Sequence, residues 1–193
     1  METMLSIFVG VGLSAACGFR IFVPLLIMSI ASLSGQLVLS PEFDWIATYP
    51  ALAAFSIATL FEVAAYYIPW ADNLLDTIAV PAATVAGTIV MAAAVSEMSP
   101  FLQWGLAVIV GGGVAGTVQG FTSITRIAST VTTGGLGNPV VSTVEAGGSI
   151  VMSILAITLP VVAVIAVGVI MFFAFRKIYG WLSRRNKLQT QNE

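Results

Sequence analysis

Long apolar runs alternate with short polar breaks along almost the whole chain. The runs are read as about six helical membrane segments of a polytopic all-α protein. They cover Met4–Ser32, Tyr49–Ile68, Asn73–Val95, Phe101–Ile127, Pro139–Ala146 and Ser149–Tyr179. The link Ser34–Thr48 is acidic through Glu42 and Asp44, whereas Thr130–Asn138 is uncharged and rich in Gly and Thr. At about 1.5 Å per residue, the first run overreaches a hydrocarbon core of about 30 Å. Gly10, Gly12, Gly18 and Pro24 interrupt it, and Gly105, Gly111, Gly112, Gly113, Gly116 and Gly120 interrupt the fourth. Both runs are therefore expected to tilt strongly or to break inside the membrane. Gly112–Gly116–Gly120 also forms a ridge of small residues, and close helix packing accounts for most of these glycines. The short fifth run has two readings: a half-helix dipping into the membrane, its N–H groups behind Pro139 facing an anion, or the end of an ordinary loop.

The two halves of the chain look related. Val9–Gly12 through Gly18–Phe19 can be laid over Gly111–Val114 through Gly120–Phe121, and Thr77–Pro81 over Ala156–Pro160. On this alignment each proline precedes a long apolar helix, and Glu62 corresponds roughly to Glu145. A repeat of three segments is odd in number, so its second copy enters the membrane the other way up. The expected architecture is a single membrane domain, residues 1–193, of two inverted three-segment halves, about 1–97 and 101–182, with Gly-interrupted helices.

Composition gives the membrane reading its force. Of 193 residues 58% are hydrophobic and 8% charged, against about 25% charged in a soluble domain. Surface shrinks too slowly with size for a soluble fold to hide that much apolar area, so the excess must face lipid. The net charge is −2, and the basic residues concentrate in the tail 176–193 at Arg176, Lys177, Arg184, Arg185 and Lys187. Positive flanks stay in the cytoplasm, so the C-terminus is expected there, and with six spans the N-terminus too. A bacterial inner membrane is the expected location. Trp45, Trp70, Trp104 and Trp181 fall near segment ends with Tyr49, Tyr66, Tyr67 and Tyr179, as an interfacial aromatic belt would. The opening Met-Glu-Thr-Met lacks the basic start of a cleaved signal, and the first helix is expected to stay.

Ionisable residues at membrane depth are costly, which makes them functional candidates. Arg20 and Glu62 lie among apolar neighbours, Arg126 follows the polar run Gln119–Thr125, and Glu145 sits in Ser142–Ser149, which puts two such residues in each half. They read as a polar centre for a substrate or ion, with Gln119, Thr122 and Asn138 beside them; the bland alternative is structural ion pairs. In such a centre the arginines would hold an anion or neutralise the glutamates, and a glutamate out of water could carry a proton. Asn73 and Asp76 are secondary candidates at the start of the third segment, where Asp72 reads as the N-cap and Glu97 as a solvated flank at its end. With no histidine and only Cys17, the chain lacks Ser–His and Cys–His catalysis, a disulfide and a zinc motif. No phosphate-binding or dinucleotide motif occurs. The expectation is not an enzyme, with no cofactor, no metal and no nucleic-acid partner.

Ala16–Arg20, Phe61–Glu62, Trp70–Asn73, Gly116–Gly120 and Gly137–Pro139 together resemble a bacterial family of small integral membrane proteins, the domain of unknown function 4126 family. The resemblance covers nearly the whole chain. It implies a polytopic membrane protein and supplies no activity. The residues themselves favour a transporter or channel for a small solute or ion, with proton coupling an option, in a lipid bilayer and as a homodimer. The rivals are a lipid scramblase or carrier, which needs a polar groove open sideways to lipid, and a structural or accessory membrane subunit.

Overall fold

The computed structural model describes the backbone of residues 2–96 and 98–189 and the side chains of residues 3–68, 74–96 and 98–176. The side chains of Trp70, Asp72, Asn73, Glu97, Lys177, Tyr179, Trp181, Arg184, Arg185 and Lys187 lie outside that set. Among the described residues the protein is all-helical, with eight α-helices and no strand: α1 (Glu2–Cys17), α2 (Phe22–Leu33), α3 (Tyr49–Ala65), α4 (Pro69–Ala94), α5 (Pro100–Leu106), α6 (Gly113–Thr133), α7 (Asn138–Thr158) and α8 (Pro160–Gln189). A 3₁₀ turn, Pro41–Ala47, precedes α3, and a π-helical stretch, Ala107–Gly112, joins α5 to α6.

Three helices are long and apolar enough to cross a membrane: Leu74–Ala94, Pro100–Thr133 and Asn138–Thr158. The 3₁₀ turn and α3, bent by 66° to each other, make a fourth if they count as one span. α1, α2 and Pro160–Arg176 are apolar but shorter. The helices thus divide the chain differently from its hydropathy.

The first run breaks at Gly18–Ile21 into α1 and α2. Pro24 explains the break, because its ring excludes a helical carbonyl four residues back, at Arg20. The fourth run does not break; it widens into the π stretch and continues to Thr133, where Gly134 caps it in the left-handed region (φ 64°). The third run begins its helix, α4, at Pro69 after Ile68, so Asp72 is not its N-cap. Pro81 lies inside α4, not ahead of a helix as the repeat alignment required, whereas Pro160 does open one. The fifth run is no half-helix: α7 passes straight through Gly147–Gly148 and takes in residues 149–158 from the sixth.

α1 and α4 form the centre. α1 packs on α4, α7, α8 and α6, and α4 also packs on the π stretch and α6. Serines link these helices: Ser14 Oγ donates to Gly87 O (2.9 Å) and Ser149 Oγ to Ala16 O (3.0 Å). Such bonds contribute about 0.6 kcal/mol each between membrane helices. The centre between α1 and α4 is apolar, whereas α6 and α7 turn apolar faces outward and carry polar residues inward. On α7, Val140, Val144, Val151 and Ile154 face outward, while Asn138, Ser142, Glu145, Ser149 and Ser153 are buried at helical spacing. On α6, Gln119, Thr122 and Arg126 are buried and Ile124, Ile127 and Val131 exposed. On a soluble bundle the exposed faces of such helices would be polar; apolar outer faces are those of an integral membrane protein.

The small-residue ridge is used inside the chain. A Cβ on Gly112 would meet Thr88 Oγ1 at 2.7 Å, and one on Gly116 would meet Thr84 Oγ1 at 2.6 Å, whereas Gly120 faces open space. Gly112 and Gly116 therefore set how closely α6 approaches α4, and they leave no continuous ridge for a second copy.

Candidate functional site

Six side chains from five elements meet beside the α1–α2 break. Arg20 comes from the break itself, Tyr66 from the residue after α3, Asp76 from α4, Arg126 from α6, and Ser142 and Glu145 from α7. Glu145 is the hub. Its Oε1 accepts from Arg126 Nε (3.1 Å), its Oε2 is bonded by Arg126 Nη2, and the same Oε2 lies 3.5 Å from Arg20 Nη2. Arg126 Nη1 also faces Asp76 Oδ1 at 3.8 Å. Arg20 Nη2 donates to Ser142 O (2.8 Å) and to Ser142 Oγ. Both arginines are almost wholly enclosed, at 1% and 2% exposure.

Both guanidinium groups lie over the Tyr66 ring, with centroid distances of 3.8 Å for Arg20 and 4.2 Å for Arg126. The negative face of the ring attracts cations, most strongly where water is excluded. Tyr66 is buried at 7% exposure, so it belongs to this centre and not to an interfacial belt. Tyr66→Phe is expected to keep the stability of the protein, and Tyr66→Leu to lower it by about 1–2 kcal/mol. Thermal unfolding in mild detergent checks the difference.

Glu62 has a separate partner set. Its Oε1 accepts from Ile21 N (2.7 Å) and its Oε2 from Phe22 N (3.0 Å). These are the first free N–H groups of α2, whose N-cap residue Ile21 has no side chain able to cap. A carboxylate from α3 thus closes the helix start that Pro24 created, where the helix dipole also favours negative charge.

The other residues singled out from sequence are buried but bonded locally. Thr122 Oγ1 donates to Gln119 O (3.0 Å), and Gln119 Nε2 lies 3.4 Å from Ser123 Oγ. Asn138 Nδ2 donates to Thr130 Oγ1 (3.1 Å), which ties α7 to the end of α6. Asp76 joins the centre through Arg126; the Asn73 side chain is outside the described residues. Two members were missed from sequence. Tyr66 sits four residues after Glu62 and Ser142 three before Glu145, so helical spacing puts each on the face of its glutamate. That spacing was the available signal.

No group of metal-ligating side chains occurs among the described residues. Chemically the centre holds charge out of water and presents guanidinium donors, two of them on Arg20 without an acceptor.

No curated protein and no solved structure matches this chain. A family model does match, over residues 7–179, and so includes every residue of the buried centre. The chain belongs to the family described as Domain of unknown function (DUF4126).

Proposed function

We propose that this protein moves a small solute or ion across a membrane through a polar centre between two halves of inverted topology. One observation carries the reading: the intramembrane charges of both halves converge on one buried cluster beside a broken helix. Arg20 of the first half and Arg126 of the second share Glu145. Each glutamate also engages the arginine segment of its own half, Glu62 at Ile21–Phe22 and Glu145 at Arg126. Packing alone does not call for that correspondence. Interrupted helices beside charged residues are the form that transporter binding sites take.

In this reading α1 with α2 makes one broken crossing. α3, α4, the Pro100–Thr133 rod, α7 and α8 supply the other five, three crossings to each half. The bacterial inner membrane, with the basic tail in the cytoplasm, is part of the proposal. A homodimer remains part of it too, through a face other than Gly112–Gly116.

A scramblase or lipid carrier needs a polar groove open to lipid. The groove between α2 and α7 is lined mainly by Ile27, Ile30, Ala31, Ile154 and Ile157, with Ser34, Gln36 and Thr158. That apolar lining favours the solute reading.

Flux into proteoliposomes tests it, with a panel of anions, cations and neutral solutes at two pH values. Wild type is expected to pass one class well above empty vesicles. Glu62→Gln and Arg20→Ala, reconstituted to equal density, are expected to lose most of that flux or its pH dependence. Wild-type vesicles as tight as empty ones to the whole panel would leave the structural-subunit reading in place.

A further inference from the structure

The start of α2 is built like an anion site that already holds an anion. Two successive backbone N–H groups, at Ile21 and Phe22, each take one oxygen of the same carboxylate, that of Glu62. α2 is 12 residues long, so its N-terminus carries the partial positive charge of a full helix. Arg20, the residue before Ile21, adds a full charge. Its Nη2 is bonded to Ser142, but its Nε and Nη1 have no hydrogen-bond acceptor although the residue is 1% exposed. Buried guanidinium N–H groups rarely go without an acceptor. The Tyr66 ring centroid lies 3.8 Å from Arg20 Cζ, and a ring face is a weaker acceptor for N–H groups than an oxygen.

We propose that the α2 N-terminus and the free edge of Arg20 form a binding site for a small carboxylate-type anion, and that the Glu62 carboxylate is its resident stand-in, displaced when it takes up a proton. The proposal rests on the transport reading for its setting and goes beyond it by naming the ligand class and the exchange. The class follows from the stand-in: a planar group with two oxygens spans Ile21 N and Phe22 N as Glu62 does.

The exchange follows from burial. The centre already holds Arg20, Arg126 and Glu145, with Asp76 partly exposed beside them and Glu62 next to it at the α2 start. A further negative charge in this low-dielectric place is costly unless one is neutralised. A proton on Glu62 does that, and a protonated carboxyl is a poor acceptor for the N–H pair, which it then vacates. One proton and one anion enter together, and the charge of the centre is unchanged. The groups whose charge acts on Glu62 are few. Among the described residues they are Arg20, from the α1–α2 break, and Glu145, from α7; Glu62 itself acts on the uncharged Cys17 thiol at the end of α1 and on the uncharged Tyr66 phenol, which Arg20, Arg126 and Asp76 also face. α2 carries no titratable side chain, and Glu42 and Asp44 of the 3₁₀ turn are exposed.

Calorimetric titration of the purified full chain in detergent with sodium formate, against nitrate and chloride, tests the proposal. Formate is expected to bind, with affinity rising by up to about tenfold for each pH unit lowered and with proton uptake visible as a buffer-dependent heat. Glu62→Ala is expected to bind formate more tightly at neutral pH and without pH dependence, because the competitor is gone. Arg20→Gln is expected to lose binding. Absence of formate binding at any pH overturns the proposal, as does an affinity in wild type that does not change with pH. Stronger binding of chloride than of formate overturns the carboxylate assignment. Should the Arg20 variant fail to fold, the wild-type pH profile and Glu62→Ala decide alone. Flux of a cation or neutral solute without formate binding sinks this inference and leaves the transport reading; formate binding without flux does the opposite.

Discussion

Replacing Glu145 by alanine is expected to destabilise the protein by about 3–5 kcal/mol, the cost of stranding a buried charge partner. Two arginines depend on this carboxylate. Arg126 gives it two bonds and Arg20 shares one of its oxygens. Without it, Arg126 keeps Asp76 and Arg20 keeps Ser142, and two guanidinium charges are left crowded over one tyrosine ring. Glu145→Gln keeps an acceptor oxygen and is expected to fall between wild type and Glu145→Ala. Thermal unfolding of the three proteins in the same detergent and lipid gives the order. An alanine variant as stable as wild type would mean that the guanidinium groups reach water or other acceptors. Glu62→Ala is expected to cost less, because the N–H groups it frees can be satisfied by water or by an anion.

The second large effect is steric. At Gly87 and Gly111 the backbones of α4 and the π stretch touch. A Cβ on Gly87 would lie 2.7 Å from Gly111 O, and one on Gly111 would lie 2.6 Å from Gly87 O and 2.5 Å from Met91 Cβ. A carbonyl in a helix cannot swing aside as a side-chain tip can, so the helices must part. Gly87→Ala and Gly111→Ala are each expected to cost about 1–3 kcal/mol, and the valine variants more. Gly113 provides the control. It is two residues beyond Gly111, on another side of the helix, and has nothing within 4 Å of its Cβ position. Gly113→Ala is expected to be neutral or to stabilise by up to about 1 kcal/mol, from helix propensity alone. Equal losses at Gly87 and Gly113 would show that close approach is not what these glycines provide.

Membrane residence was legible in the chain, because a composition this apolar leaves no other solvent for the outer faces of α3, α7 and α8. Most of the buried charges were legible for the same reason: Arg20, Glu62, Arg126 and Glu145 stand out where a charge is expensive, whereas Asp76 at a helix start reads only as a secondary candidate. Helix ends were less so. Gly147–Gly148 looks like a stop in sequence, yet glycine is tolerated within membrane helices and α7 runs through it. The true stop is Pro160, because proline removes a donor and clashes with the preceding turn. Pro81 shows the limit of that rule, since α4 carries it without ending. The partners of the charges depended on the tertiary structure alone. That Glu145 serves both arginines, that Glu62 caps α2 instead of pairing with Arg20, and that Tyr66 lies under both guanidinium groups all depend on where α3, α6 and α7 cross. Local sequence sets which face of a helix a residue occupies; only the packing of helices distant in sequence sets what that face meets.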